Sequence, residues 1–318
     1  MNTGKTVFAQ LMSFIPEYEL KKCIDRYQGD YRVRNFTCRE HFNVMSFAQL
    51  TGRESLRDIE SCLIAFSSKL YHSGMKTPAA RNTLAKANEN RDWRIYADFA
   101  QILIKKARSL YFRDNDFRLD IDNMVYAFDS STINLCLSLF PWAKFHHQKG
   151  AVKMHTLLDL RGSIPVFIHL TDGSVHDVNA LDSLLIEPAA FYLMDKGYVD
   201  FYRLFNLIHV KRAFFVTRAK DNMAYQVEDN FEVDKDAGLI SDQSIRLTGV
   251  KSSKLYPDNI RLVVYEDYAT NNVYHFLTNN FELSALTIAE LYRERWKVEL
   301  FFKWIKQHLH IKAFYGTT

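Results

Sequence analysis

Cysteine is scarce in this chain: Cys23, Cys38, Cys62 and Cys136 are the four in 318 residues. None belongs to a Cys-x-x-Cys pair, and no histidine cluster accompanies them at zinc-ligand spacing. A disulfide scaffold or zinc module is therefore excluded, and the four read as reduced core thiols. With 6 Pro and 11 Gly, fibrous and low-complexity classes are excluded as well. No run of 18 apolar residues exists, so no membrane span is expected. The first residues lack a charged stretch followed by an apolar one, so secretion is not expected either. What is present is ordinary for a globular protein: 47% hydrophobic and 25% charged residues, in a length that suits roughly two domains or one large domain with additions.

The net charge of +4 hides an asymmetry. Residues 1–110 carry 18 Lys and Arg against 11 Asp and Glu, a balance of +7, and the remainder carries 23 against 26. This fits a polyanion-binding module attached to a carboxylate-bearing core. On charge alone, a solvated basic surface explains it equally well.

The pattern divides the chain into four parts. Residues 1–115 read as helical. Phe8, Leu11, Met12 and Ile15 recur at helical spacing before Pro16. A second apolar helix ends at Thr51-Gly52, and Ser55 caps the next, which is the outline of a helix-turn-helix. A long helix from about Arg91 to Tyr111 places Trp93, Tyr96, Phe99, Ile102 and Leu103 on its apolar side. Residues 116–220 alternate strands with short helices. Met124–Asp129, His155–Leu160, Ile164–Leu170, Phe191–Asp195 and Arg212–Thr217 are the strands; Asp177–Leu185, capped by Asp177, and Val199–Ile208 are the helices. That order argues an α/β sheet. Residues 221–282 read as an all-β insertion. Residues 283–318 hold one long helix, capped by Ser284 and running to about Leu309.

Two aspartates close apolar strand runs, Asp129 before Ser-Ser-Thr and Asp195 before Lys-Gly-Tyr. Ligands collect at the carboxyl ends of strands in open α/β sheets, and hard divalent cations prefer carboxylate oxygens. The ordinary alternative is that each Asp caps a helix. On the last helix Tyr292, Arg295, Glu299 and Lys306 fall on one face at 100° per residue. Leu291, Val298, Phe302, Ile305 and Leu309 form the adjacent apolar stripe. A carboxylate between two cations suits a site that holds a metal and grips phosphates. An exposed ion pair between Arg295 and Glu299 is the plainer reading.

The spacing Tyr292-x-x-Arg295-x-x-x-Glu299, followed seven residues on by Lys306, resembles the Tyr-Arg-Glu-Lys signature. That signature belongs to the DDE transposases of insertion sequence family four. Asp129 and Asp195 resemble the family's first two catalytic aspartates, and Glu299 its third acid. The resemblance implies a ribonuclease-H-like mixed sheet with flanking helices, a β-rich insertion and a helical N-terminal DNA-binding region. It implies Mg²⁺, with Mn²⁺ as substitute, as two ions held by Asp129, Asp195 and Glu299. It implies cut-and-paste transposition on inverted-repeat ends and target DNA, in a homodimer, in the bacterial cytoplasm at the nucleoid. Tyr292, Arg295 and Lys306 are implied to contact the DNA backbone. Lys153 and His155 are implied to lie near the site, where a partly exposed strand face is the plainer reading of both. Relatives that open a terminal hairpin trap a flipped base with an aromatic of the insertion. Residues 221–282 contain no Trp, and Tyr225, Phe231, Tyr256 and Tyr265 read as β-core residues. The chain ends at Tyr315-Gly-Thr-Thr, where family members continue, so a truncated copy is expected. The competing functional readings are an inactive DNA-binding remnant or inhibitor, and a structure-specific nuclease of the same fold.

Overall fold

The computed structural model describes residues 5–111, 119, 121–135, 144–146, 149–308 and 313–314. Cys136, Leu309 and the terminal Tyr315-Gly-Thr-Thr lie outside the described residues. The chain forms two compact units. One is Met1–Lys106 with Ile305–Ile311 and Gly316–Thr318; the other is Ala107–Trp304 with Lys312–Tyr315. Among the described residues no helix is long and apolar enough to cross a membrane.

The first unit is helical: α1 Val7–Met12, α2 Glu17–Arg26, α3 Cys38–Leu50, α4 Leu56–Ala65, α5 Arg81–Asn90 and α6, which starts at Arg94 and ends at Tyr111. Local chemistry sets the ends. Thr37 and Glu40 form a capping box on α3, and the Ser55 hydroxyl accepts from the Asp58 N–H to start α4. Between them the chain turns at Gly52, whose φ is +66°. Val44, Ala48, Ile59, Leu63 and Leu84 bury one core, and Leu20, Ile24, Cys38, Ile95 and Phe99 a second. Trp93 departs from expectation, being 72% exposed. The Asp92 carboxylate accepts from the Arg94 N–H, so the helix begins only at Arg94 and Trp93 precedes its apolar phase.

The second unit is built on one mixed sheet. Its strands are β1 Val125–Leu135, β2 Lys144–His146, β3 Lys149–Asp159, β4 Ile164–Asp172, β5 Phe191–Met194, β6 Phe214–Arg218, β7 Tyr225–Phe231, β8 Leu239–Leu247, β9 Ile260–Asp267, β10 Asn272–Thr278 and the short β11 Ala313–Phe314, parallel to β1. The order is β2-β3-β1-β5-β6-β10-β9-β8-β7, with β4 also on β3. β4, β3 and β1 form an antiparallel meander, and β1, β5 and β6 are parallel. That is the ribonuclease-H-like arrangement. Tyr126, Phe128, Tyr192, Met194, Phe215 and Leu262 are buried in its core.

Four expectations are corrected. β1 does not end at Asp129 but continues to Leu135, because residues 129–135 pair fully with β3. Asp177 does not cap its helix: the 3₁₀ turn Asp177–Ser183 begins with it, and its carboxylate accepts from the Ser130 hydroxyl at 2.8 Å. The β-rich segment 221–282 is hydrogen-bonded into the same sheet through antiparallel β10 and β6, and it contains a short helix, Ser252–Leu255. The last helix is divided into Ala285–Glu294 and Trp296–His308, which meet at Arg295. Arg295 keeps right-handed helical angles, and tighter bonds run from its N–H to Tyr292 O and from Val298 N–H to its own carbonyl.

Arg261 of β9 is 6% exposed and pairs in bidentate fashion with buried Asp242 of β8, at 2.8 and 2.7 Å. It also donates to the Asn280 and Leu283 carbonyls, which lead into the Glu-bearing helices. Arg261→Met strands a buried carboxylate, so urea unfolding should show a loss of about 3–5 kcal/mol. His41 is buried between the Tyr96 hydroxyl and the Asn88 carbonyl, each at 2.7 Å. Burial holds its imidazole below the ordinary histidine range. The unfolded chain thus takes up a proton near pH ~6.5 that the folded one refuses until lower pH. The melting temperature should fall as pH drops from about 6.5 through that lower value, and His41→Gln should flatten the dependence.

Candidate active site

The parallel pairing of β1 with β5 runs from Val125↔Phe191 to Phe128↔Met194. One step further are Asp129 and Asp195. Both aspartates leave the apolar stretch of neighbouring strands at the same level, on the face opposite Phe128 and Met194. Glu299 lies in the first turn of the second of the two terminal helices.

One guanidinium joins two of the acids. Arg295 donates through Nη1 to Asp129 Oδ2 at 3.0 Å and through Nη2 to Glu299 Oε1 at 2.6 Å. Its side chain is 11% exposed, against 20% for Asp129 and 35% for Glu299. The Nε of Arg295 is buried without a hydrogen-bond partner. Asp195 Oδ1 accepts from Arg218 Nε at 3.1 Å, from Arg218 Nη2 at 2.5 Å and from the Tyr292 hydroxyl at 3.2 Å. The Tyr292 ring packs on Phe276 with centroids 4.8 Å apart, and the Arg295 guanidinium lies 5.6 Å from its centre.

Burial pushes Asp129 above the ordinary carboxylate range, despite the Ser130 N–H and Arg295, and the charges of Glu299 and Asp195 add to the rise. Burial also raises Asp195, but the Arg218 guanidinium and the Lys196 N–H outweigh it, and the net displacement is downward. Burial and the neighbouring Asp195 carboxylate hold the Tyr292 phenol up at about 12. The two aspartates are thus pushed apart by their surroundings.

Of the residues singled out in the sequence, Asp129, Asp195, Glu299, Tyr292 and Arg295 form one connected network. Lys306 is in the last turn of its helix. Lys153 and His155 do not join. Asp129 is paired with Thr156, so its β3 neighbours alternate to the other face. There Lys153 donates to Val175 O at 2.8 Å, and His155 Nε2 is 2.9 Å from the Thr171 hydroxyl. Arg218 was missed. It ends β6, the position that drew notice to the aspartates, and Thr-Arg-Ala-Lys after an apolar run was the available signal. Two clefts share Arg218. One, of ≈ 270 Å³, is walled by Tyr265, Tyr274, Phe276, Tyr292 and Trp296; the other, of ≈ 620 Å³, includes Lys196, Lys220 and Tyr225. Tyr256 is buried as expected, but Tyr225 and Phe231 are 40% and 43% exposed and are not core residues.

Among the described residues no three His, Cys, Asp or Glu side chains are arranged to hold a metal ion. The donor chemistry nevertheless fits a hard divalent cation: three carboxylates, two of them joined by one guanidinium. For such an ion Arg295 and Arg218 must give up their carboxylates.

The opposite displacements of the aspartates separate two neutral variants. The raised value of Asp129 means that its ionisation costs stability above the ordinary carboxylate range. The lowered value of Asp195 means that its ionisation contributes stability, lost only as pH falls through that lowered value. In thermal melts at about pH 7, Asp129→Asn should match or exceed the parent and Asp195→Asn should fall below it. Equal losses would contradict this assignment.

Residues 121–318 match the family described as the transposase DDE domain, and residues 3–76 match a domain of unknown function, DUF4372. A putative transposase, y4zB, of Sinorhizobium fredii is 35% identical over 237 residues, 73% of this chain and 64% of that protein. A probable transposase for insertion sequence element IS5377 of Geobacillus stearothermophilus is 29% identical over 319 residues, 100% of this chain and 80% of that one. The chain thus spans slightly less than two thirds of the Sinorhizobium relative. A cryo-EM structure of the piggyBac transposase synaptic complex with hairpin DNA covers 100% of this chain and 72% of its own, at TM-score 0.46 and 11% identity. The match to the DDE domain extends over the whole segment that carries Asp129, Asp195 and Glu299, and the chain belongs to the transposase DDE domain family.

Proposed function

We propose that this chain is the transposase of an insertion sequence, which binds the element's inverted-repeat ends and moves it by metal-dependent strand cleavage and strand transfer. The observation that carries the reading is the network in which Arg295 ties Asp129 to Glu299 while Arg218 and Tyr292 hold Asp195. Members of the family generally use divalent metal ions. In our reading Asp129, Asp195 and Glu299 would hold Mg²⁺ or Mn²⁺ as a pair of ions, which would supply Lewis-acid activation of the scissile phosphate and of an attacking oxygen. Arg295 and Arg218 then turn to the DNA backbone, where a planar guanidinium grips phosphate in bidentate fashion. The orphaned Nε of Arg295 gives that guanidinium a further donor. Tyr292, neutral over the working pH range, donates its hydroxyl. Lys306 contributes a point charge to the DNA backbone. A homodimer on paired ends, at the bacterial nucleoid, completes the proposal.

The test uses a duplex carrying the inverted repeat that flanks the coding sequence. Glu299→Gln should bind it and fail to cut it. Arg295→Ala should weaken binding about 10- to 100-fold, the scale of hydrogen bonds to a charged group, while calorimetry still records Mn²⁺ uptake. Unchanged end affinity in Arg295→Ala would make that residue only an ion-pair partner of the acids. A parent protein that binds ends and never cuts them would be a remnant, and one that cuts without regard to the repeat would be a nuclease.

A further inference from the structure

The first unit holds a cleft of its own, of ≈ 610 Å³, bounded by the loop from Tyr27 to Phe36 and the end of α5. Its loop is costly to form. Gln28, Arg32 and Phe36 have φ of +50°, +58° and +60°, three of the seven non-glycine residues with positive φ in the described chain. Such conformations persist only where the surroundings over-determine them. Here they do. The Arg91 guanidinium donates to the Gly29 carbonyl and, at 2.7 Å, to the Phe36 carbonyl. Asp30 lies 3.6 Å from Arg91 and accepts from the Cys38 N–H at 2.7 Å. Gly29 has no room for a side chain, since a Cβ there would come within 2.5 Å of Ile95 Cδ1.

The loop's ends are packed, Tyr27 against the core of Leu20 and Phe99 and Phe36 against that of Val44 and Leu63, but its tip is not. Tyr31 is 66% exposed, and Arg32, Arg34 and Asn35 are exposed as well. Packing therefore anchors the loop and leaves the side chains of its tip free for another role. Other cations of the unit, Arg26, Arg39, Arg53 and Arg94, each pair with a carboxylate, and exposed ones without such a partner among the described residues, such as Lys21, Arg57 and Lys76, lie outside this cleft. Among the described residues Arg32, Arg34 and Lys86 pair with none. The one acid lining the cleft, Asp92, is already held by Arg94. Three uncompensated cations along an open trough, with Asn35, Asn90 and Thr83 as hydrogen-bonding neighbours, suit a ligand with repeated, evenly spaced anions.

We propose that the loop and the end of α5 form a docking site for the sugar-phosphate backbone of duplex DNA, read through Arg32, Arg34 and Lys86. This places a function in the segment that matches a domain of unknown function. It rests on the transposase reading for the identity of the polyanion. Contacts of this kind fix register on the duplex and carry no base sequence. They therefore act alike on end DNA and on any other duplex.

The experiment measures affinity of the full chain for two duplexes of equal length, one with the flanking inverted repeat and one of random sequence, across a salt series. Each lost phosphate contact removes about 0.9 from the slope of log K against log[salt]. Arg32→Ala with Arg34→Ala should lower the slope by about 1.8 on both duplexes, and Arg32→Lys with Arg34→Lys should restore most of it. Circular dichroism should stay unchanged, since both side chains are exposed. An unchanged slope in the alanine pair overturns the site, and does so even if Glu299→Gln abolishes cleavage and the transposase reading stands. A parent that never cuts end DNA, with a slope that still falls in the alanine pair, overturns the transposase reading and keeps the site.

Discussion

The register between β1 and β5 is the constraint on which the rest depends. Two parallel strands in step carry their last apolar pair, Phe128 and Met194, to the same level. Whatever follows them emerges side by side. A slip of one residue would turn an aspartate to the other face of the sheet. The register is secured from both sides: the antiparallel ladder to β3 fixes β1 along its whole length, and β6 fixes β5. The apolar core beneath, with Tyr126, Phe128, Tyr192 and Met194 fully buried, makes any slip expensive. Two carboxylates can stand together because the sheet below them is over-determined.

Placing like charges together raises a second problem, which Arg295 and Arg218 resolve. Burial makes the charge of Asp129 costly, and the neighbouring Glu299 and Asp195 add to that cost. The guanidinium of Arg295 is shared between Asp129 and Glu299, and that of Arg218 pairs with Asp195. Internal counter-charges of this kind keep the folded chain stable without an ion, yet each is a side chain that can turn away. The helix junction at Arg295 puts the guanidinium shared by two acids at a point where the hydrogen-bond ladder is already irregular.

Much of this was legible in the sequence, and for definable reasons. The acids stood at the ends of apolar runs, and Tyr292, Arg295 and Glu299 kept a helical interval that survives the junction, since Arg295 retains helical angles. The existence of β1, β3, β4, β5 and β6 followed from apolar runs, but their reach did not: β1 continues to Leu135, β3 starts at Lys149, and β2 carried no such run. What stayed hidden depended on partners distant in sequence. Periodicity does not say that β10 would pair with β6 and draw the β-rich segment into the sheet. It does not say to which face Lys153 and His155 turn, which depends on the β1–β3 register. Trp93 looked apolar in phase until Asp92 delayed the helix by capping it. Arg218 carried no spacing signal, because its role arises only when β6 lies beside β5.

The far side of the sheet has a consequence of its own. β7 is its last strand, exposed along its entire length, and an open row of backbone donors and acceptors invites another strand to add. Here Glu228 and Asp229 sit mid-strand, at an irregularity in the pairing with β8. Two copies approaching edge to edge would oppose acid to acid across a backbone already bent out of line. The border is thus guarded against self-templated stacking and fibre growth, and copies of this chain that associate must do so through some other part of their surface.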